Sequence, residues 1–230
     1  MSWTTRPPIR SPFGAPTPDG DAHRSDDDAA GATGAAPVRI LTVCTGNICR
    51  SAYAQHVLQA RLDELLGSGR AEVRSAGTGP NQALAVPDEI LHLAPSSGVM
   101  DALLSHRPRQ LTARVLAGQD LVLTATEAHL DAVLREEPGA VRRAYTLLEA
   151  GRLAAGTDLP DAGGLPALTT AWAARRDALT GEPLDLPDPF RGPVTGYAAM
   201  ADALDPALEA IAQAVARAVA RAVGGAGTRS

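Results

Sequence analysis

The chain has 230 residues, an ordinary 45% apolar content and a net charge of −5, so it can hold one large domain or two small ones. That charge gives no electrostatic reason to expect nucleic acid or an anionic membrane as partner, and no stretch approaches the roughly 20 apolar residues a membrane helix needs. Two cysteines cannot form a disulfide framework, and the first residues lack the apolar core of a signal peptide; both points predict a reducing cytoplasm.

Residues 1–36 are rich in Pro, Asp, Gly, Ser and Ala without an apolar period, and read as a disordered tail. Residues 38–43 form a short apolar, β-branched run suited to a buried parallel strand. Ser51 can cap a following helix in which Ala54, Leu58, Leu62 and Leu65 share one face, and Gly67 sits where such a helix stops. Further strands are predicted at 71–75, 121–124 and, more weakly, 141–146, with helices over 88–103 and 127–136. Residues 151–186 break this rhythm: Gly/Pro-rich loops surround a short helix over 169–179, which reads as a surface insertion ahead of Asp188. Met200, Leu204, Leu208, Ile211, Val215 and Val219 then mark a long core-packing helix over 197–223, and 224–230 reads as a second disordered tail.

With aromatics at 3%, the core must come from Ala, Leu, Val and Ile. Strands alternating with helices predict a single α/β domain over 37–223, a three-layer build in which a four-stranded, mostly parallel sheet carries helices on both faces. Ligands of such sheets bind at the carboxyl ends of the strands, which is where the first strand runs into Cys44.

The run Cys44-Thr45-Gly46-Asn47-Ile48-Cys49-Arg50-Ser51 has the chemistry of a phosphate-binding loop. A loop of this length can curl so that successive N–H groups face one anion, and the next helix adds its unpaired N–H groups and positive dipole end. Gly46 and Asn47 tolerate the left-handed backbone such curling requires. Arg50 offers a planar fork to two phosphate oxygens. The same positive field favours a thiolate at Cys44, the nucleophilic form, and the Ser51 hydroxyl can donate to it. Neither the glycine spacing of a dinucleotide site nor the Lys-Ser/Thr pair of a nucleotide P-loop is present.

CTGNICRS resembles the active-site signature of the low-molecular-weight protein-tyrosine-phosphatase family. Further matches follow in the family's order: Ser75-Ala76-Gly77-Thr78, His106-Arg107-Pro108-Arg109-Gln110-Leu111, Asp120-Leu121-Val122-Leu123 and Asp188-Pro189-Phe190. The resemblance implies a metal-independent, cofactor-free phosphatase in which Cys44 attacks phosphorus, Arg50 and the loop stabilise the phosphoryl oxygens and Asp188 is the general acid. It also implies that Ser75 and His106 buttress Asn47, that Phe190 walls the cleft, and that Cys49 can pair with Cys44 when oxidised; Cys49 reads equally well as a small buried side chain. On its own, Asp188-Pro189 is a common turn former.

Two departures bear on substrate. The family's aromatic after the Ser-Ala-Gly-Thr motif is missing from Gly79-Pro80-Asn81-Gln82-Ala83, and its Met-Asp after the third strand is Ala125-Thr126 here, which implies altered loop support. The expected activity is hydrolysis of aryl phosphates, protein phosphotyrosine first, with a phosphorylated protein or small aryl phosphate as partner. The alternatives are arsenate reduction with an external thiol, since no cysteine follows Cys49, and a non-catalytic phosphate-binding module.

Overall fold

The computed structural model describes residues 36–156 and 163–226. Apart from residue 36, the tail expected over 1–36 lies outside the described residues, as do 227–230. Four strands, β1 (Val38–Cys44), β2 (Ala71–Gly77), β3 (Leu121–Thr124) and β4 (Ala144–Thr146), pair in parallel in the order β2-β1-β3-β4. The chain steps from β1 to β2 on one side and then to β3 on the other. Connections therefore leave β1 and β3 toward different faces, and a crevice opens between their carboxyl ends.

Helix α1 (Arg50–Leu66) follows β1 and ends at Gly67, whose φ of 82° is the left-handed conformation that glycine adopts without a Cβ penalty. The expected helix over 88–103 is two, α2 (Asp88–Leu91) and α3 (Ser97–Ser105). Pro95 cannot supply a helical N–H, and Ser96 restarts the helix by accepting from the Val99 N–H at 3.3 Å. After α4 (Ala113–Leu116) and β3, Thr126 caps α5 (Glu127–Glu136). The fourth strand is shorter than expected because Pro138–Arg142 forms a 3-10 turn that leaves Val141 exposed.

The segment 151–186 is the largest departure from expectation. Helix α6 (Leu147–Gly156) runs into it, and α7 (Gly164–Ala173) with a 3-10 turn at Arg176–Leu179 replaces the predicted helix over 169–179. It is not merely a surface excursion. Leu165, Leu168 and Trp172 are buried in the main core, with the Trp172 ring edge-on to Tyr145 at 5.4 Å and Tyr145 donating its hydroxyl to the Thr169 carbonyl at 2.8 Å. Its Ala/Leu content was legible, but the strand and helix it packs against are distant in sequence. The last helix, α8 (Val194–Ala226), starts earlier than predicted and runs beyond residue 223.

One core, built from α1, α3, α6, α7 and α8, covers one face of the sheet. A smaller one, with Leu111, Leu116, Val133 and Ala140 packed on Leu41, Val43 and Val122, covers the other. Helices α6 and α8 approach so closely at Gly151 that a Cβ there would lie 2.5 Å from the Ala207 Cβ. Gly151→Ala must therefore push backbone from backbone. The expected loss is about 1–3 kcal/mol of stability, read as a lower urea midpoint with an unchanged slope.

Candidate active site

The loop between β1 and α1 bends at Asn47, whose φ of 54° is one of two left-handed non-glycine conformations among the described residues. That bend is held from several sides. The Asn47 Nδ2 donates to Ser75 Oγ at 2.7 Å and to Ser51 Oγ at 3.0 Å, and its Oδ1 accepts from the Arg109 N–H at 2.9 Å. Its carbonyl accepts from His106 Nε2 at 2.8 Å. Since a carbonyl can only accept, His106 carries its proton on Nε2, and its Nδ1 accepts from His56 Nε2 at 3.1 Å. Burial, with His106 second, pushes His56 down to about 4, which keeps this relay neutral.

Gly77 explains the Ser75-Ala76-Gly77-Thr78 motif. A Cβ at Gly77 would overlap the Thr45 carbonyl oxygen and crowd Asn47, so only glycine lets β2 approach the loop. The Thr78 and Gly79 N–H groups then bond the carbonyls of Cys44 and Thr45 at 2.9 and 3.1 Å. Gly77 exchanges bonds with Arg109 and Leu111, which brings the 106–111 segment against the loop.

Cys44 is buried, and its Sγ accepts the Asn47 N–H at 3.3 Å and lies 3.0 Å from Ser51 Oγ. Ser51 does not cap the helix as expected. Helix α1 begins at Arg50, its N-cap Cys49 makes no side-chain bond, and Ser51 turns inward toward the sulfur. The open first turn leaves N–H groups that no helical carbonyl can take. Cys49 is a free thiol, as is Cys44; burial first, then Cys44 and Asp188, push Cys49 up to about 12, so it stays protonated at neutral pH.

Arg50 is 4% exposed and reaches from the loop to the segment ahead of α8. It donates through Nη1 to the Leu186 carbonyl at 3.1 Å and through Nη2 to Asp188 Oδ2 at 2.6 Å, while its Nε has no partner. The Leu186 N–H in turn bonds the Ala125 carbonyl at 2.8 Å, tying this segment to the end of β3. Asp188 is about half exposed. A cleft of about 170 Å³ gathers Cys44, Thr45, Gly46, Ile48, Cys49, Arg50, Asp188 and Phe190 from the expected set and adds Gly79, Asn81 and Leu84. Ser75 and His106 stand behind the loop, against Asn47.

His129 escaped the sequence reading. It lies on the first turn of α5 and is buried, with Nε2 2.9 Å from Thr45 Oγ1 and Nδ1 2.7 Å from Thr126 Oγ1. Burial first and Arg50 second push it down to about 4, against the pull of Asp188 and Asp185. The available signal was its place three residues past a helix cap at the end of the strand beside β1. Leu84 was missed because only an aromatic was sought there. Among the described residues, no three His, Cys, Asp or Glu side chains are grouped to hold a metal, and no helix is long and apolar enough to cross a membrane.

A thiol and a guanidinium on one curled loop, facing a carboxylate from another segment, can support phosphoryl transfer, and the chain is a phosphatase. It belongs to the low molecular weight phosphotyrosine protein phosphatase family, whose model matches residues 39–161. A putative low molecular weight protein-tyrosine-phosphatase of Klebsiella pneumoniae is 32% identical over 164 residues, 70% of this chain and 85% of that protein. The protein-arginine-phosphatase of Geobacillus stearothermophilus is 29% identical over 169 residues, 74% of this chain and 90% of its own length. The solved YwlE arginine phosphatase from Geobacillus stearothermophilus superposes with a TM-score of 0.55 at 28% identity, covering 77% of this chain and 92% of that one.

Gly77→Ala is expected to displace the loop and lower kcat/KM by about 10²-fold, measured with p-nitrophenyl phosphate. Acid stability follows from His129. Its folded value of about 4 lies below its ordinary 6.5, so between these limits the unfolded chain binds a proton that the folded one refuses. The contribution is fully present above about pH 6.5 and is lost as pH falls toward about 4, by up to about 3 kcal/mol. Urea unfolding at pH 7.5 and 5.0 should show a smaller difference in His129→Gln than in the parent.

Proposed function

We propose that this phosphatase hydrolyses aryl phosphate esters, protein phosphotyrosine above all, through a phosphocysteine intermediate. The observation that carries the reading is the Arg50–Asp188 contact of 2.6 Å on the cleft that Cys44 also lines: nucleophile, anion holder and acid share one small space. An arriving phosphate dianion competes with Asp188 for Arg50. The guanidinium and the loop amides then neutralise the phosphoryl oxygens, and the unpaired Arg50 Nε is a further donor for them.

In the first step the Cys44 thiolate attacks phosphorus in line while a protonated Asp188 gives its proton to the leaving oxygen. As a carboxylate, Asp188 then takes a proton from the water that attacks phosphocysteine. Sulfur leaves as a thiolate, an acceptor only, so the Ser51 hydroxyl at 3.0 Å donates to it and eases that departure. Ser75 and His106 act at one remove by keeping Asn47 in place. The reaction needs no metal or other cofactor, and a free thiol at Cys44 fits a cytoplasmic location.

Ile48, Leu84 and Phe190 give the cleft apolar walls that suit a ring. A phosphorylated guanidinium, the substrate class in the name of the Geobacillus relative, would turn N–H donors toward those walls. Arsenate reduction leaves Asp188 without work, and no cysteine follows Cys49 to resolve an arseno-thiol internally.

A kinetic panel of phosphotyrosine, phosphoserine and phosphoarginine peptides, aryl phosphates and arsenate tests the proposal. Phosphotyrosine and aryl phosphates should lead it. Cys44→Ser should abolish turnover, and Asp188→Ala should lower kcat by about 10²–10⁴-fold, most for poor leaving groups. Wild-type hydrolysis by Cys44→Ser would overturn the mechanism; preference for phosphoarginine or arsenate would overturn the substrate.

A further inference from the structure

The crevice between β1 and β3 holds a hydrogen-bond chain that the mechanism above does not use. Thr126, at the N-cap of α5, accepts the His129 N–H at 3.3 Å, and its hydroxyl lies 2.7 Å from His129 Nδ1. His129 Nε2 lies 2.9 Å from Thr45 Oγ1, and Thr45 lines the cleft directly after Cys44. A neutral imidazole has one proton, so the chain can run in only two directions.

In one direction His129 donates from Nδ1 to Thr126 and accepts the Thr45 proton. Thr126 Oγ1 then accepts twice, its own proton finds no partner among the described residues, and Thr45 turns only lone pairs toward the cleft. In the other, Thr126 donates to Nδ1, Nε2–H donates to Thr45, and the Thr45 proton is free to enter the cleft. Every group is then satisfied once an anion sits in the loop. A phosphoryl dianion selects the second direction, because its oxygens accept and cannot donate. Each bond in such a chain polarises the next.

We propose that His129 is a positioning residue that aims the Thr45 hydroxyl at a phosphoryl oxygen, making Thr45 a side-chain donor to the substrate in addition to the loop amides. This rests on the hydrolase reading above and deepens it. Because Thr126 is a hydroxyl it can donate to Nδ1, whereas a carboxylate in its place could only accept from Nδ1–H, which would reverse the chain and take the Thr45 proton out of the cleft.

The test uses the full chain with Thr45→Val, Thr45→Ser, His129→Ala, His129→Gln and the double variant Thr45→Val/His129→Ala. Steady-state kinetics with an aryl phosphate and calorimetric binding of orthovanadate are measured for each. Thr45→Val and His129→Ala should each weaken vanadate binding and lower kcat/KM by about 10- to 100-fold, the weight of one hydrogen bond to a charged group. The double variant should lose no more than either single one. Thr45→Ser and His129→Gln, which keep a hydroxyl and an N–H donor, should recover most of the loss. In the parent with vanadate bound, ¹⁵N shifts should place the His129 proton on Nε2. Parental vanadate affinity in Thr45→Val overturns the proposal, as do fully additive losses or a proton on Nδ1. If His129→Ala does not fold, Thr45→Val, His129→Gln and the ¹⁵N measurement decide. Absence of turnover in the parent would sink the hydrolase reading alone, since vanadate binding still reads the Thr45 donor.

Discussion

The site depends on holding one residue in an unfavourable backbone conformation. Asn47 at φ 54° costs about 1–2 kcal/mol relative to ordinary backbone, yet that bend is what turns the loop around a single point. The cost is offset by four hydrogen bonds to Asn47 from or to three separate segments, namely Ser51 on α1, Ser75 on β2, and His106 and Arg109 on the 106–111 stretch. At about 1 kcal/mol net per bond they outweigh the strain severalfold. Because these partners are neutral or backbone groups buried behind the loop, the arrangement stands ready before any anion arrives.

The second constraint is topological. With the order β2-β1-β3-β4, the loop after β1 and the cap of α5 after β3 emerge side by side while their helices pack on opposite faces. That is why Thr45 meets His129 and why Leu186 can bond Ala125, although each pair is far apart in sequence. Arg50 closes the arrangement from the other side by gripping the Leu186 carbonyl and Asp188 together. The segment that carries Asp188 is thus anchored at both the loop and the end of β3. The buried guanidinium gives the half-exposed Asp188 a defined position in the absence of substrate.

Much of this was legible from residues alone where a local rule applied. Three of the four strands were placed by their apolar, β-branched runs, and the end of α1 by Gly67. The helical pattern over 88–103 is interrupted and Ser51 is not a cap, because Pro95-Ser96 and an inward-turned hydroxyl take precedence. The segment 151–186 failed for a different reason. Composition marks it as loop-rich, but Trp172 is buried against Tyr145 on β4, a partner no local pattern reveals.

For the site, the loop from Cys44 to Ser51 was readable because its chemistry is contiguous: a thiol, a bend, an arginine and a helix start lie within eight residues. The sequence by itself therefore determined the fold class, the family and the grouping of thiol, bend and arginine in one loop. Only the tertiary structure decided that Asp188 lies against Arg50, that Ser75 and His106 converge on Asn47, and that His129 stands behind Thr45. Contiguous chemistry is fixed by covalent spacing, whereas a partner brought from another strand end is fixed by sheet order and packing, which no single segment encodes.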